Sequence, residues 1–165
     1  MNPVISDNIF RGYDIRGKVP QELNSAGAYV LGQAYAAWLT QRRINEAVIV
    51  GDNRTHTREL KDNFIRGMLE GGIKVTDIGL GLVYFMYFGQ YLFQIKGGVS
   101  VSASHNPKEY NGFKLAVGFS DTMVSEEIIE FKSLVKSGKF IKAGKPGTLV
   151  KTDVFPAYLN DLHKK

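Results

Sequence analysis

Residues 98–117 read Gly98-Gly-Val-Ser-Val-Ser-Ala-Ser-His-Asn-Pro-Lys-Glu-Tyr-Asn-Gly-Phe-Lys-Leu-Ala-Val117, and the rest of the predicted fold is arranged around them. The first part alternates apolar residues with serines, which is the period of a strand with one apolar face. Pro107 cannot donate to a strand ladder, so we expect this strand to end near Ser104. Asn111-Gly112 predicts a turn, after which the two-residue alternation resumes as far as Val117.

This pattern predicts a functional site. Ser104, His105 and Asn106 place a hydroxyl, an imidazole and an amide on a tight loop at the carboxyl end of a strand, and Lys114 returns toward them from the next strand. In open α/β sheets, ligands bind at the carboxyl ends of the strands.

Strands and helices alternate along the remainder of the chain. Residues 47–51 form a short, continuously apolar run, typical of a strand that is buried on both faces. We expect a three-layer α/β/α sandwich with a mixed, mostly parallel sheet, in which the strand at 113–117 is the one antiparallel strand. The predicted helices cover residues 25–42, 58–70, 84–91, 126–136 and 154 onward, and the other predicted strands cover 73–78 and 148–152. Ile9-Phe10 predicts the start of a short strand, and 11–17 a loop.

Several local features carry their own predictions. Asn24 or Ser25 is expected to cap the first helix, Thr57 the second and Ser125 the fourth. His56 is interpreted as an exposed or capping histidine. Four aromatic residues fall at helical spacing and are interpreted as core rather than as a platform for sugars or bases: Tyr84, Tyr87, Phe88 and Tyr91.

Composition limits the possible classes of protein. The 165 residues carry a formal net charge of +5, but the lysines and arginines are scattered, so a solvated surface is favoured over nucleic-acid binding. The absence of cysteine excludes disulfides and thiolate metal sites. The lack of cysteine also leaves a cytoplasmic location as the default expectation. Neither a signal-peptide pattern nor an apolar run of membrane-spanning length occurs, so we expect no membrane partner.

A serine needs a base, a metal or a preloaded phosphate to act as a nucleophile. The Gly-x-Ser-x-Gly elbow of serine hydrolases is absent, which disfavours that class of enzyme. The Gly-x-x-x-x-Gly-Lys-Ser/Thr phosphate loop is absent too. Phosphoryl transfer is the chemistry that best matches one serine surrounded by arginine, lysine, histidine and asparagine.

Three motifs together resemble the α-D-phosphohexomutases, the phosphomannomutase/phosphoglucomutase family. They are Ser102-Ala-Ser-His-Asn-Pro107, Tyr110-Asn-Gly-Phe-Lys114 and Phe10-Arg-Gly-Tyr-Asp-Ile-Arg-Gly17. The resemblance extends from residue 9 to residue 158 but covers only the first of the family's four domains. It implies that residues 1–153 form domain I and that 154–165 begin a linker to a second domain outside this chain.

The resemblance also implies a role for each site residue. Ser104 would carry a phosphoryl group, pass it to a hexose monophosphate, and recover the other phosphate after the bisphosphate intermediate turns around. Lys114 matches the family's general acid/base, and Mg²⁺ would bind through the phosphate on Ser104. The remaining residues would orient or bind phosphate and substrate oxygens: His105, Arg16, Tyr13, Asn106 and Arg11.

The family's metal loop, sugar-recognition loop and late phosphate loop are absent from the chain, so we expect no turnover by this segment alone. The alternative function is a non-catalytic module that binds a phosphosugar or a partner protein. Gly51-Asp-Asn-Arg54 resembles the family's Gly-x-Asp-x-Arg loop with one residue fewer. Asp52 and Arg54 are interpreted as making helix-capping and loop hydrogen bonds.

Overall fold

The computed structural model describes residues 5–140 and 142–164. Within those ranges, the chain forms seven strands, which make up one sheet, and five α-helices. The strands are β1 (Ile15–Lys18), β2 (Glu46–Gly51), β3 (Lys74–Leu80), β4 (Gly97–Val101), β5 (Tyr110–Gly118), β6 (Asp121–Thr122) and β7 (Leu149–Lys151). The helices are α1 (Ser25–Gln41), α2 (Thr57–Glu70), α3 (Val83–Phe93), α4 (Ser125–Ser137) and α5 (Phe155–Leu162).

The sheet is mixed, as predicted. Its strand order is β1-β5-β4-β2-β3-β7, with β6 paired to β5. Strands β4, β2, β3 and β7 pair in parallel, whereas β5 is antiparallel to β4, β1 and β6. The prediction of one strand running against the others is therefore confirmed.

Two hydrophobic cores lie on opposite faces of this sheet. Ala47 and Ile49 of β2 belong to a core shared with α1, α2 and α4. Val48 and Val50 of the same strand belong to a second core, shared with α3. Because alternate residues of β2 face opposite cores, the strand has to be apolar throughout. The three-layer sandwich predicted from the sequence is confirmed.

The N-terminal prediction was partly wrong. Asp7–Ile9 form a 3₁₀ turn, and Phe10 makes only an isolated bridge to Ile15. The strand is β1, which begins inside the segment predicted to be a loop. Its residues pair with β5, and Arg16 lies opposite Gly112. Strand pairing with a distant segment therefore determined the local conformation.

The predicted turn at Asn111-Gly112 was also wrong, since both residues lie within β5. The buried Asn111 side chain donates a hydrogen bond to the Thr57 hydroxyl at 2.8 Å. At Gly112, a Cβ atom would lie 2.1 Å from the carbonyl oxygen of Ile15. Glycine is required here because β1 approaches closely, not because the chain turns.

Of the predicted helix caps, only the first is confirmed. The Asn24 side chain accepts a hydrogen bond from the Gly27 N–H at 2.9 Å. Thr57 is instead the first residue of α2, and His56 occupies the N-cap position without a side-chain cap. Ser125 is likewise the first residue of α4, and the N-cap residue of that helix is Val124.

The prediction that four aromatic residues of α3 belong to the core was only partly right. Tyr84 and Tyr91 are 67% and 53% exposed. The helix buries a neighbouring stripe instead, namely Met86, Gly89 and Gln90. Tyr87 and Phe88 are half-buried and pack against the second core.

Helix α5 closes the described chain, close to where a helix was predicted. Its Tyr158 ring lies 4.8 Å from the Phe85 ring and 5.3 Å from the Phe88 ring, measured between centroids. The proposed domain boundary after residue 153 remains a prediction. In the described part of the chain, no helix is long and apolar enough to cross a membrane.

Candidate active site

The serine loop, residues 102–109, joins β4 to β5. At its tip, Ser104 adopts a left-handed conformation with φ of +53°. The Ser104 N–H donates to the Ser102 hydroxyl at 3.0 Å, and the Asn106 N–H donates to the Ala103 carbonyl at 3.0 Å. Non-glycine residues rarely adopt this conformation. Contacts from the rest of the fold must therefore stabilise this loop conformation. The Ser104 side chain itself is exposed.

Arg54, in the loop after β2, supplies most of those contacts. Its Nη1 donates to the carbonyls of Pro107 and Tyr110, at 2.8 and 3.1 Å. Its Nη2 donates to the carbonyls of Ser104 and Asn106, at 2.9 and 2.7 Å. One guanidinium group thus binds four backbone carbonyls in and immediately after the serine loop.

Asp52 fixes Arg54 in turn. Its carboxylate accepts hydrogen bonds from the Arg54 Nε at 3.2 Å and from the Arg54 backbone N–H at 3.1 Å. It also accepts from the Thr57 hydroxyl at 2.6 Å. The loop hydrogen bonds predicted for Asp52 and Arg54 are confirmed, whereas a helix-capping role is not, because neither residue caps α2.

A second arginine reaches the serine loop from β1. Arg16 donates through Nη1 to the side-chain oxygen of Asn106 at 2.5 Å, and its Nη2 pairs with the buried Asp14. Asp14 is therefore a site residue that the sequence did not single out.

Lys114 is half-buried on β5, and its Nζ lies 4.8 Å from the centre of the exposed Tyr13 ring. Burial lowers the pKa of Lys114 below its ordinary value of 10.5; Asp14 opposes this shift and Arg16 adds to it. A lowered pKa makes the neutral amine of Lys114 easier to reach than that of an ordinary lysine, which is the direction that acid/base chemistry requires.

His105 follows Ser104 directly. Its Nδ1 lies 3.3 Å from the Ser104 Oγ, and both residues are exposed. The imidazole is therefore within hydrogen-bonding reach of the hydroxyl.

Two clefts meet at Ser104. The smaller, of about 330 Å³, is bounded by Tyr13, Arg16, Lys114 and His105 as well as by the serine. The larger, of about 1000 Å³, extends over Asp52, Arg54, His56 and Lys108. A group attached to the Ser104 oxygen could therefore enter either space.

Five of the seven residues predicted for the site surround the smaller cleft: Ser104, His105, Lys114, Arg16 and Tyr13. Asn106 joins them through its bond to Arg16 and also lines the larger cleft. Arg11 is exposed and lines neither of these two clefts, so the structure does not bring it to the others.

Sequence reasoning missed three hydrophobic contributors to the site. Leu82 is 64% exposed and lines both clefts, and Val83 and Tyr84 line the smaller one. The aromatic spacing of α3 directed attention to the core, but the start of this helix faces the serine loop.

The described residues do not by themselves form a cluster of magnesium ligands. Among residues 5–140 and 142–164, no group of three or more His, Cys, Asp or Glu side chains could hold a metal ion. Asp14 and Asp52 are already paired with Arg16 and Arg54. Since Mg²⁺ requires near-octahedral oxygen coordination, the donors present do not fit this ion by themselves.

Comparison with known proteins places this geometry in a family. The family model for phosphoglucomutase/phosphomannomutase, alpha/beta/alpha domain I, matches residues 7–140. A phosphoglucomutase of Neisseria meningitidis serogroup B is 35% identical over 158 residues, which cover 96% of this chain and 34% of that protein. A phosphomannomutase/phosphoglucomutase of Pseudomonas syringae is 31% identical over 160 residues, covering 97% and 34%.

A solved structure gives the same result. The phosphoglucomutase/phosphomannomutase family protein of Burkholderia thailandensis superposes with a TM-score of 0.91 at 25% identity, covering 98% of this chain and 36% of that one. The chain spans about a third of the length of the curated relatives it matches. It belongs to the phosphoglucomutase/phosphomannomutase family, and the part that it matches is the α/β/α domain I.

Proposed function

We propose that this chain is the serine-bearing domain of a longer phosphohexomutase that interconverts hexose 1-phosphates and hexose 6-phosphates. The observation that carries the proposal is the smaller cleft, where Ser104, Lys114 and Arg16 surround one space. Phosphoryl transfer depends mainly on positioning and on stabilising charge, and this cleft offers a hydroxyl among cationic groups.

In the proposed reaction, Ser104 carries the phosphoryl group. The bond between phosphorus and the Ser104 oxygen breaks while a bond forms to a hydroxyl oxygen of the hexose monophosphate. Neutral Lys114 accepts the proton of that hydroxyl, which its lowered pKa favours, and passes it to the departing Ser104 oxygen in the same cleft. The bisphosphate then returns its other phosphoryl group to Ser104, and Lys114 moves the Ser104 hydroxyl proton to the freed sugar oxygen.

Arg16 and His105 would orient the phosphoryl oxygens. Arg16 is held in place by Asp14 and Asn106, so its guanidinium group is preorganised beside the serine. Magnesium belongs to the proposal only for a longer protein in which further carboxylates come from outside this chain, because the described donors do not suffice.

The test is an assay of hexose 1-phosphate conversion by a longer protein that carries this domain. Lys114→Arg should lower kcat by about 100-fold or more, because arginine keeps the charge but does not deprotonate. Lys96→Arg is the matched control, since Lys96 is exposed and lines neither cleft at the serine. A rise in KM alone would reduce Lys114 to a phosphate contact.

The same assay separates the enzyme from a non-catalytic module. A longer protein that binds hexose phosphates without converting them would overturn the mutase proposal in favour of a binding module. The 165-residue chain should show no turnover, because the metal, sugar-recognition and late phosphate loops of the family do not occur in its sequence. Conversion by the chain alone would contradict that part of the proposal.

A further inference from the structure

We propose that Arg54 is the positioning residue of the serine loop, acting on Ser104 without binding substrate. This inference rests on the proposed function only for the chemistry that the loop serves. A cation that lines the larger cleft next to the serine would ordinarily be interpreted as a phosphate ligand. Its hydrogen bonds point to a different role.

All the donors of Arg54 are already used. A guanidinium group has five N–H donors. One bonds Asp52, and the other four bond the carbonyls of Ser104, Asn106, Pro107 and Tyr110. A phosphate could gain a hydrogen bond from Arg54 only if one of these were broken.

The bonded carbonyls belong to a loop whose own backbone hydrogen bonds are local turns, from Asn106 to Ala103 and from Tyr110 to Pro107. Ser104 has a positive φ, and the segment from 104 to 110 contains no helix or strand before β5 begins. Arg54 bonds carbonyls on both sides of Pro107 and therefore joins the two arms of the loop. We infer that it selects the one conformation in which the Ser104 hydroxyl stands between the two clefts.

Arg54 holds the conformation of the serine loop through the planar, five-donor guanidinium group rather than through its charge. Lysine would keep the charge but has only three donors, on a single nitrogen, and cannot bond four carbonyls at once. Arg54→Lys is therefore the informative substitution. Arg58→Lys is the matched control. The Arg58 side chain is 93% exposed, and its ion pair with Asp62 is a long surface contact of 3.9 Å.

The first measurement uses the 165-residue chain and needs no substrate. Backbone ¹⁵N relaxation should give order parameters of about 0.85 for the serine loop of the wild type and of Arg58→Lys, falling below about 0.6 in Arg54→Lys. Strand β2 should stay rigid in all three proteins. A serine loop that is as rigid in Arg54→Lys as in the wild type would overturn the inference.

Two further variants guard against misfolding and test specificity. Asp52→Asn keeps the size of the side chain while weakening the bond that holds Arg54, so the loop should loosen in the same direction but less. In Arg54→Ala, guanidinium ion at tens of millimolar should restore loop order, whereas the same concentration of sodium chloride should not. A rigid loop in Asp52→Asn together with no rescue by guanidinium would also count against the inference.

A second measurement connects the loop to chemistry in the longer protein. Arg54→Lys should lower kcat by about 10- to 100-fold, the loss expected when a reacting group is displaced by about 1 Å, and leave KM within about twofold. A large rise in KM with kcat unchanged would make Arg54 a substrate ligand and contradict the inference. If the loop loosens but the wild-type protein converts no hexose phosphate, the proposed function fails and the positioning role stands.

Discussion

The Nη1 of Arg16 and the side-chain oxygen of Asn106 lie 2.5 Å apart, although 90 positions of sequence separate the two residues. This contact bonds β1 directly to the serine loop. Arg54 bonds the same loop from the segment after β2. Two arginines from distant parts of the chain therefore hold Ser104, one through a side chain and one through backbone carbonyls.

Removing the Asn106 side chain should weaken the fold measurably. Asn106→Ala leaves the Arg16 group without one acceptor in a partly buried place, so the free energy of unfolding should fall by about 1–2 kcal/mol. Urea unfolding of the 165-residue chain measures this. Asn53→Ala is the control, because Asn53 is exposed; its effect should stay within about 0.5 kcal/mol. Equal stabilities of the two variants would contradict the account.

Lys114 should make stability depend on pH in a defined direction. Its pKa in the folded protein lies below the ordinary value of 10.5, so between the two values the unfolded chain binds more protons. Stability therefore rises with pH across that window, and the cost of burying the charged lysine is fully present below it.

The variant Lys114→Met isolates this effect from other titrating groups. The free energy of unfolding of the wild type minus that of Lys114→Met should increase as pH rises toward 10.5. Denaturant unfolding at a series of pH values measures the difference. A difference that stays flat, or that falls with pH, would show that burial does not lower this pKa.

Much of the sheet could be predicted because its signals are local. The continuous apolar run of β2 follows from burial on both faces, and Pro107 correctly predicted a break after β4. The Asn111-Gly112 turn failed because the same dipeptide serves a close strand approach. A local turn signal cannot distinguish these two uses of glycine.

The contacts of the site that could not be predicted from the sequence are hydrogen bonds from side chains to backbone carbonyls. Ser104 and Lys114 could be expected to lie near each other because the strand pattern places them on neighbouring strands, whereas Arg16 was expected there only from the family resemblance. The partners of Arg54 are carbonyl groups about fifty positions away, and every residue has a carbonyl, so no sequence pattern indicates them. Tyr84 was misassigned because helical spacing shows which residues share a face, not which face is buried.

Magnesium should barely stabilise the 165-residue chain without phosphate. The described residues lack a cluster of metal ligands, so we expect a Kd above about 1 mM; the ion would then add less than about 0.4 kcal/mol at about 1 mM. For a domain of this size, the melting temperature would shift by no more than about 1–2 °C. Thermal melts with and without magnesium measure the shift, and a rise of several degrees would mean that Asp14, Asp52 or Glu109 completes a metal site.

The most direct test of the account is the position of the phosphoryl group. A longer protein that carries this domain should be treated with a hexose 1,6-bisphosphate and then analysed by intact mass and peptide mapping. We predict one phosphoryl group on Ser104, because this serine stands exposed where the two clefts meet. Ser102 also lines both clefts, and Ser100 lies deeper on β4. Phosphate on Ser100 or Ser102 instead, or on no serine of this loop, would contradict the central claim.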